Sequence, residues 1–364
     1  MKQLFSILII VLFANIFSNN ANAQGCIAIR STGGICTMDH AQGEHTDTLS
    51  KWEFNLNNRY FKSFRHFVGT KEQKQRIENG SEVINHQYTL DLTLTRNLNK
   101  WWSFSVDVPI LANTRSSLYE HDRTNRFSTH SYGLGDVHFS AYRWIWDPAK
   151  SRKGNIQLGL GIKLATGDYK YQDFFHKNDS MLVLGPVDQS IQLGDGGTGF
   201  PVELNAYYNL SKKFSAYGNL YYLVSPREQN GVSTARGGAP SASSLLNGSS
   251  VMSVPDQYMI RAGLNYTEKD LTFSLGIKEE CLPVHDLIGG SKGFRRPGYI
   301  ISAEPGISYN LKRINLYAYV PFAIQRNRTQ SVADKITTRI TGIYTKGDAA
   351  FADYTVNIGC SVKF

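Results

Sequence analysis

From residue 52 onward, apolar and polar residues alternate one for one through segment after segment. Trp52, Phe54, Leu56 and Tyr60 interleave with Glu53, Asn55, Asn57 and Arg59. Tyr88, Leu90, Leu92 and Leu94 interleave with Thr89, Asp91, Thr93 and Thr95, and Trp102 to Val108 and Ile156 to Lys163 repeat the pattern. Period two marks a strand with one apolar and one polar face. Further segments begin near residues 132, 199, 213, 256, 270, 298, 313 and 352, so the pattern predicts about twelve strands of about ten residues each. Strands of soluble sheets run nearer five or six residues, whereas about ten suffice to cross a bilayer at a tilt.

The connections alternate too. Long polar stretches (63–83, 113–131, 170–198, 226–255, 283–297, 327–351) take turns with short ones at 98–100, 147–153, 211–212, 268–269 and 312. This predicts an all-β chain, an antiparallel transmembrane β-barrel of about twelve strands with long external loops and short periplasmic turns. An even count leaves both ends periplasmic and pairs the last strand, "YTVNIGCSVKF", with the strand at 51–62. Aromatic residues fit that layout. Trp52, Trp101, Trp102, Trp144 and Trp146 fall at the short-turn ends, and Tyr60, Tyr88, Tyr132, Tyr169, Tyr258 and Tyr299 at the long-loop ends, as interfacial girdles require. Strand four resists: strict alternation points Arg143 at lipid and Trp144 and Trp146 inward. A bulge at Ala141 to Arg143 would return the tryptophans to the interface.

Ahead of the strands stand Lys2, an apolar run from Leu4 to Phe17 and Ala21-Asn22-Ala23, the layout of a cleaved secretory signal. The expected division is a signal peptide at 1–23, an N-terminal periplasmic segment and candidate plug at 24–49, and the barrel at 50–364. No later window reaches the roughly 18 apolar residues of a helical span. The net charge of +9 comes from 39 basic and 30 acidic residues that are scattered rather than clustered. Nucleic acid is therefore not an expected partner. The expected partners are outer-membrane lipids and lipopolysaccharide, small solutes, and the barrel-assembly machinery through the C-terminal strand ending in Phe364. The expected location is the outer membrane of a Gram-negative cell.

Candidate chemistry lies on the polar face. Alternation points Asp91, Asp107, Asp136, His138, Lys163, Glu203, Arg261, Lys278 and Glu304 into the lumen as pore-lining residues, with opposite signs expected across it. Cys26 and Cys36 precede the first strand in an oxidising compartment, where a disulfide would stabilise the segment by roughly 3 kcal/mol. His40 and His45 are nearby, but "HAQGEH" misses the zinc-protease spacings, so no metal and no cofactor are expected. No GxSxG occurs, and the run Gly194 to Gly199 lacks the lysine of a phosphate loop. Asp136 and His138 share one face as an acid–base couple would, yet no nucleophile accompanies them. The chain reads as no enzyme.

The motifs "GLGDV" (133–137), "GIKLATGDY" (161–169) and "SVDVPI" (105–110), with the aromatic terminus, resemble the outer-membrane barrel family named for the meta-pathway of phenol degradation. Ala165 stands where members of that family often have proline. The resemblance spans most of residues 85 to 364 and implies a transporter for small aromatic or hydrophobic compounds. Together the readings point to an outer-membrane channel or transporter for passive passage of small solutes. The alternatives are a structural or surface-binding barrel with a closed lumen, and an outer-membrane hydrolase.

Overall fold

The structure, a computed structural model, describes residues 51–364. The signal peptide, the segment 24–49 and the Cys26–Cys36 pairing lie outside the described residues. Twelve strands form the barrel: β1 (Trp52–Val68), β2 (Ile84–Asn97), β3 (Trp102–Ser117), β4 (Phe127–Leu134 and His138–Trp144), β5 (Gly154–Lys163), β6 (Phe200–Asn209), β7 (Phe214–Val224), β8 (Gln257–Glu268), β9 (Leu271–Leu282), β10 (Gly298–Leu311), β11 (Ile314–Tyr319 and Phe322–Arg328) and β12 (Ala349–Lys363). Each pairs antiparallel with its neighbours in sequence, and β12 closes on β1 from Glu53↔Lys363 to Phe61↔Thr355. Trp52 and Phe364 exchange backbone hydrogen bonds of 3.0 and 2.9 Å. The terminal strand is thus paired to its last residue, and no edge is left open there.

Burial follows the predicted alternation. Along β2, Gln87, Thr89, Asp91 and Thr93 are buried, while Leu90, Leu92 and Leu94 face outward and are partly or fully exposed. The apolar stripe is therefore on the outside and the polar stripe within, inverted from a soluble sheet and suited to lipid.

Two strands are interrupted, each for a local reason. In β4 the pairing with β3 runs Ile110↔Leu134 and then Asp107↔His138, so one extra residue is accommodated between them. The inward set switches there from Thr129 and Ser131 to His138, Ser140 and Tyr142. The bulge expected at Ala141 to Arg143 is therefore found at Gly135 to Val137 instead. Arg143 stays outside, its guanidinium 5.6 Å from the Trp102 ring and 6.0 Å from that of Trp101. A cation at the interface held over aromatic faces needs no bulge. Trp144 keeps its inward orientation, edge-on to the buried Tyr207 at 6.0 Å. In β11 the break falls at Pro321, which has no N–H to give the ladder.

Beyond Phe322↔Tyr354 the second half of β11 leaves β12. Arg326 bridges the two there, from Nε to the Ala352 carbonyl (3.0 Å) and to Asp353 (2.5 Å). Ala349 to Ala352 are buried in succession, without alternation, around Phe67 and Phe351. The start of β12 is thus covered on both faces, while β1 and β11 meet directly at Gly69↔Arg328.

Candidate functional site

All nine charged positions expected to face the lumen are buried inward, none more than 8% exposed. Their partners are mostly local. Lys163 Nζ lies 3.1 Å from Asp136 and 2.5 Å from Asp195. Asp136 also accepts the backbone N–H of Gly167 (3.0 Å) and of Asp195 (3.2 Å), so its carboxylate is engaged away from any catalytic couple with His138. Arg261 Nε and Glu304 Oε1 form an ion pair at 2.8 Å without hydrogen-bond alignment. Lys278 pairs with Glu280 at 3.0 Å. Opposite signs thus meet side by side along the wall, not across the lumen as the sequence reading had them. Glu203 accepts from Tyr142 (3.0 Å), Asp91 from Asn57 (3.3 Å), and Asp107 from Thr93 (2.7 Å).

Tyrosines complete the wall. Tyr142, Tyr217, Tyr317 and Tyr319 pack against the inward glycines 159, 263 and 276, 359, and 306 respectively, where a β-carbon would collide with the ring or its hydroxyl. Aromatic rings laid over glycines on adjoining strands cover the backbone that glycine leaves bare.

The long-loop end is closed down by residues 164–199. Within this stretch a hairpin (Gln172–Asn178 and Met181–Pro186) precedes a single 3-10 turn (Gln189–Ile191), and residues 187–194 are buried. The turn hangs from inward side chains of the wall. Gln87 Nε2 donates to the Ser190 carbonyl (3.1 Å), Asn113 Nδ2 (3.4 Å) and Ser131 Oγ (2.5 Å) to that of Ile191. Gly194 allows the return path: a β-carbon there would sit 2.5 Å from Asp136 Oδ1 and 2.7 Å from the Gly167 carbonyl. The glycine run is therefore a close-approach device that seats Asp195 against Lys163. Between this turn and the wall lies a cavity of about 20 Å³ bordered by His138, Lys163, Leu193 and Tyr221.

An ion cluster fastens the inserted loop. Asp188 is bonded by Arg296 at 2.5 and 2.9 Å and lies 3.5 Å from Arg115 and 3.9 Å from Arg236. Arg115 and Arg236 share Glu120 at 2.7 and 2.8 Å. Burial alone would raise the Asp188 carboxyl, but Arg115 and Arg296 outweigh it and hold it well below the ordinary carboxylate range. Glu120 is lowered in the same way, against burial, by Arg115 and Arg236. Sequence reasoning missed these five residues and Asp195. They come from a strand end and four loops, and no spacing within any one segment announces them.

Among the described residues no group of three or more His, Cys, Asp or Glu could hold a metal. Cys281 and Cys360 are free thiols.

No protein-family model and no curated protein matches the sequence. Among solved structures, the chain is similar to an outer-membrane channel from Pseudomonas putida F1, with TM-score 0.57, 9% identity, and coverage of 88% of this chain and 98% of that one. It also aligns with the translocator domain of an autotransporter from Neisseria meningitidis (TM-score 0.46, 11% identity, 89% and 92% covered). A toluene transporter of P. putida aligns at TM-score 0.42 and 9% identity (95% and 99% covered). The last two are too distant to carry an argument. The first establishes the fold: a closed twelve-stranded antiparallel barrel of the outer-membrane type.

Proposed function

We propose that the protein is an outer-membrane channel for passive passage of small solutes, entered through a mouth that loop 164–199 narrows. The observation that carries this reading is the wall itself. Its outer face is apolar, and its inner face is lined by charged, amide and hydroxyl groups, several of whose atoms have no hydrogen-bond partner. Asp91 Oδ1, Asn57 Oδ1 and the hydroxyls of Tyr217 and Tyr221 are buried and unbonded. Such groups cost about 1–3 kcal/mol each in a dry interior, so they suit a wall that meets water or solute. Twelve strands stand between the filled eight-stranded barrel and the open sixteen-stranded porin, which leaves room for a narrow path. The resemblance to the phenol-pathway barrels, and the similar channel from P. putida, support transport over a purely structural barrel. Small aromatic or hydrophobic compounds are the solute class this resemblance favours.

We further propose that residues 24–49, which lie outside the described residues, form a periplasmic segment and candidate plug, with Cys26 joined to Cys36. The same reading makes Phe364 part of the signal for insertion. Deleting Phe364 should reduce heat-modifiable, folded protein in the outer membrane, and assembly at normal yield would remove that role. Passage itself is tested by swelling of proteoliposomes in neutral solutes of graded size. Swelling that falls off with solute size supports the channel, and none at any size favours a closed structural barrel.

A further inference from the structure

The hairpin at 172–186 leads into the turn that closes the long-loop end, and its first strand lies along the start of β4. Among the described residues, two side-chain hydrogen bonds tie that strand to its neighbours. Asp173 Oδ2 accepts the backbone N–H of His130 at 2.7 Å, and His121 Nδ1 accepts the backbone N–H of His176 at 3.2 Å. The second tie depends on an unprotonated ring nitrogen.

His121 sits in the loop after β3 and is 5% exposed. Its ring is boxed by Phe127 at 5.5 Å, Phe175 at 5.4 Å and His176 at 5.8 Å. Because Nδ1 accepts, the neutral ring carries its proton on Nε2, which is buried without a hydrogen-bond partner. A second proton has no acceptor to meet. On Nδ1 it would face the His176 N–H, donor against donor, and break the tie. The carboxylates beside the ring are already engaged. Glu120 is shared by Arg115 and Arg236 at 2.7 and 2.8 Å, and Asp122 takes the backbone N–H groups of Thr124 and Asn125 at 2.7 Å. From the hairpin come His176 and Lys177, the latter with its ammonium 5.3 Å from the Phe175 ring centre. Burial pushes the His121 imidazole below its ordinary value; His176 and Lys177 add to this, and Glu120 and Asp122 oppose it without reversing it.

We propose that His121 is an acid-released latch: neutral, it holds the hairpin 172–186 against the rim of the barrel, and protonated, it lets the hairpin go. The sign follows from linkage. The seat is fully held above the ordinary histidine value of about 6.5. Below that value the released form takes up the proton more readily, so the seat weakens as pH falls and levels off below the seated value. The two other histidines at the hairpin act the opposite way. A protonated His130, 3.5 Å from Asp173, would tighten its tie. A protonated His176, stacked on Phe127 at 3.7 Å, would gain a cation–π contact. The hairpin is the arm that leads to the closing turn, so its release loosens the mouth; that use rests on the channel reading, but the latch does not.

The test is hydrogen exchange of the purified full chain in detergent micelles, followed over residues 172–186 and corrected for intrinsic rate. It reads the latch whether or not the barrel conducts. From about pH 7.5 to about pH 5.5, exchange there should rise at least about threefold in wild type while the barrel strands stay protected. His121→Asn keeps an acceptor near the Nδ1 position and cannot be protonated, so its exchange should be equal at both values. His176→Gln and His130→Gln should each retain the rise. A wild-type hairpin equally protected at both values would overturn the latch. So would a rise that survives in His121→Asn or disappears in either of the other variants. Carbon NMR of ring-labelled histidine gives a second reading on wild type. The resonance missing from His121→Asn must titrate over the same range as the opening, and titration outside that range would equally overturn the latch.

Discussion

At Gly306 a β-carbon would overlap the Tyr319 ring and the Ser274 hydroxyl. Gly306→Ala should therefore displace Tyr319 and cost about 1–3 kcal/mol of barrel stability. Urea unfolding in lipid vesicles measures it, and an unchanged midpoint would mean that the ring is not packed as described. Another residue-level contact responds to pH. Asp348 takes His66 Nδ1 at 2.9 Å and Arg76 Nη2 at 2.6 Å. Burial would raise its carboxyl, but the bond and charge of His66 and the charge of Arg76 bring it down to about 2. A depressed carboxyl stabilises above its unfolded value and loses that contribution as pH falls through its folded value. The attachment of loop residues 345–348 should thus be fully present above about pH 4, worth at most about 2 kcal/mol, and fade toward pH 2. Hydrogen exchange corrected for intrinsic rate should show that loop opening over this range in wild type but not in Asp348→Asn. The inward direction of Asp91, Lys163 and Arg261 was legible because side-chain direction in a strand depends only on parity. Their partners were not. The pairing of Arg261 with Glu304 depends on the relative register of β8 and β10, which a single sequence does not encode locally.

The strands themselves were the most legible part of the chain, because lipid on one side and a polar lumen on the other enforce strict alternation over the whole span. The twelve segments and the long–short rhythm of their connections reappear in the structure. What differed sits where the backbone departs from the ladder. β1 runs on to Val68 and β3 to Ser117, past the expected loop starts at 63 and 113. In β3, Asn113 to Ser117 are polar on both faces and hide the strand's end, and in β1 the register slips between Phe61 and Arg65, so the alternation lapses. The β4 bulge lies at Gly135 to Val137, and alternation reveals only that a slip is needed, not its place. Faces can be tested directly. Leu160, 65% exposed on β5, replaced by arginine should cost on the order of 2–4 kcal/mol near the midplane. Inward Thr93→Ser on β2 should cost well under 1 kcal/mol. Equal penalties in the same unfolding assay would mean the register is wrong. Gly161 is inward but would not serve as the mild control: its added β-carbon would meet the Phe139 carbonyl and Ser140 Oγ at 2.5 Å.

At the scale of the molecule, the barrel is a scaffold whose long-loop end is closed down by an inserted loop. The sequence showed a long polar loop at 170–198 but gave no sign that residues 187–194 turn inward. That insertion is held by Gln87, Asn113, Ser131 and Arg115, each of which looks like any other lumen-facing residue. The electrostatic consequence is a wall with carboxylates at Asp91, Asp107 and Glu203 on β2, β3 and β6, and the arginine and lysine pairs on β5, β8 and β9. Charged side chains in a low-dielectric wall decide which ions pass. The most direct measurement is single-channel recording of the full chain in planar bilayers under a salt gradient. A conducting wild type is predicted, with the reversal potential moving toward anions when Asp91 and Asp107 are both replaced by Asn, and toward cations when Lys163 and Arg261 are neutralised. No current in wild type, with or without residues 24–49, would contradict the account, as would a reversal potential that none of the four substitutions moves.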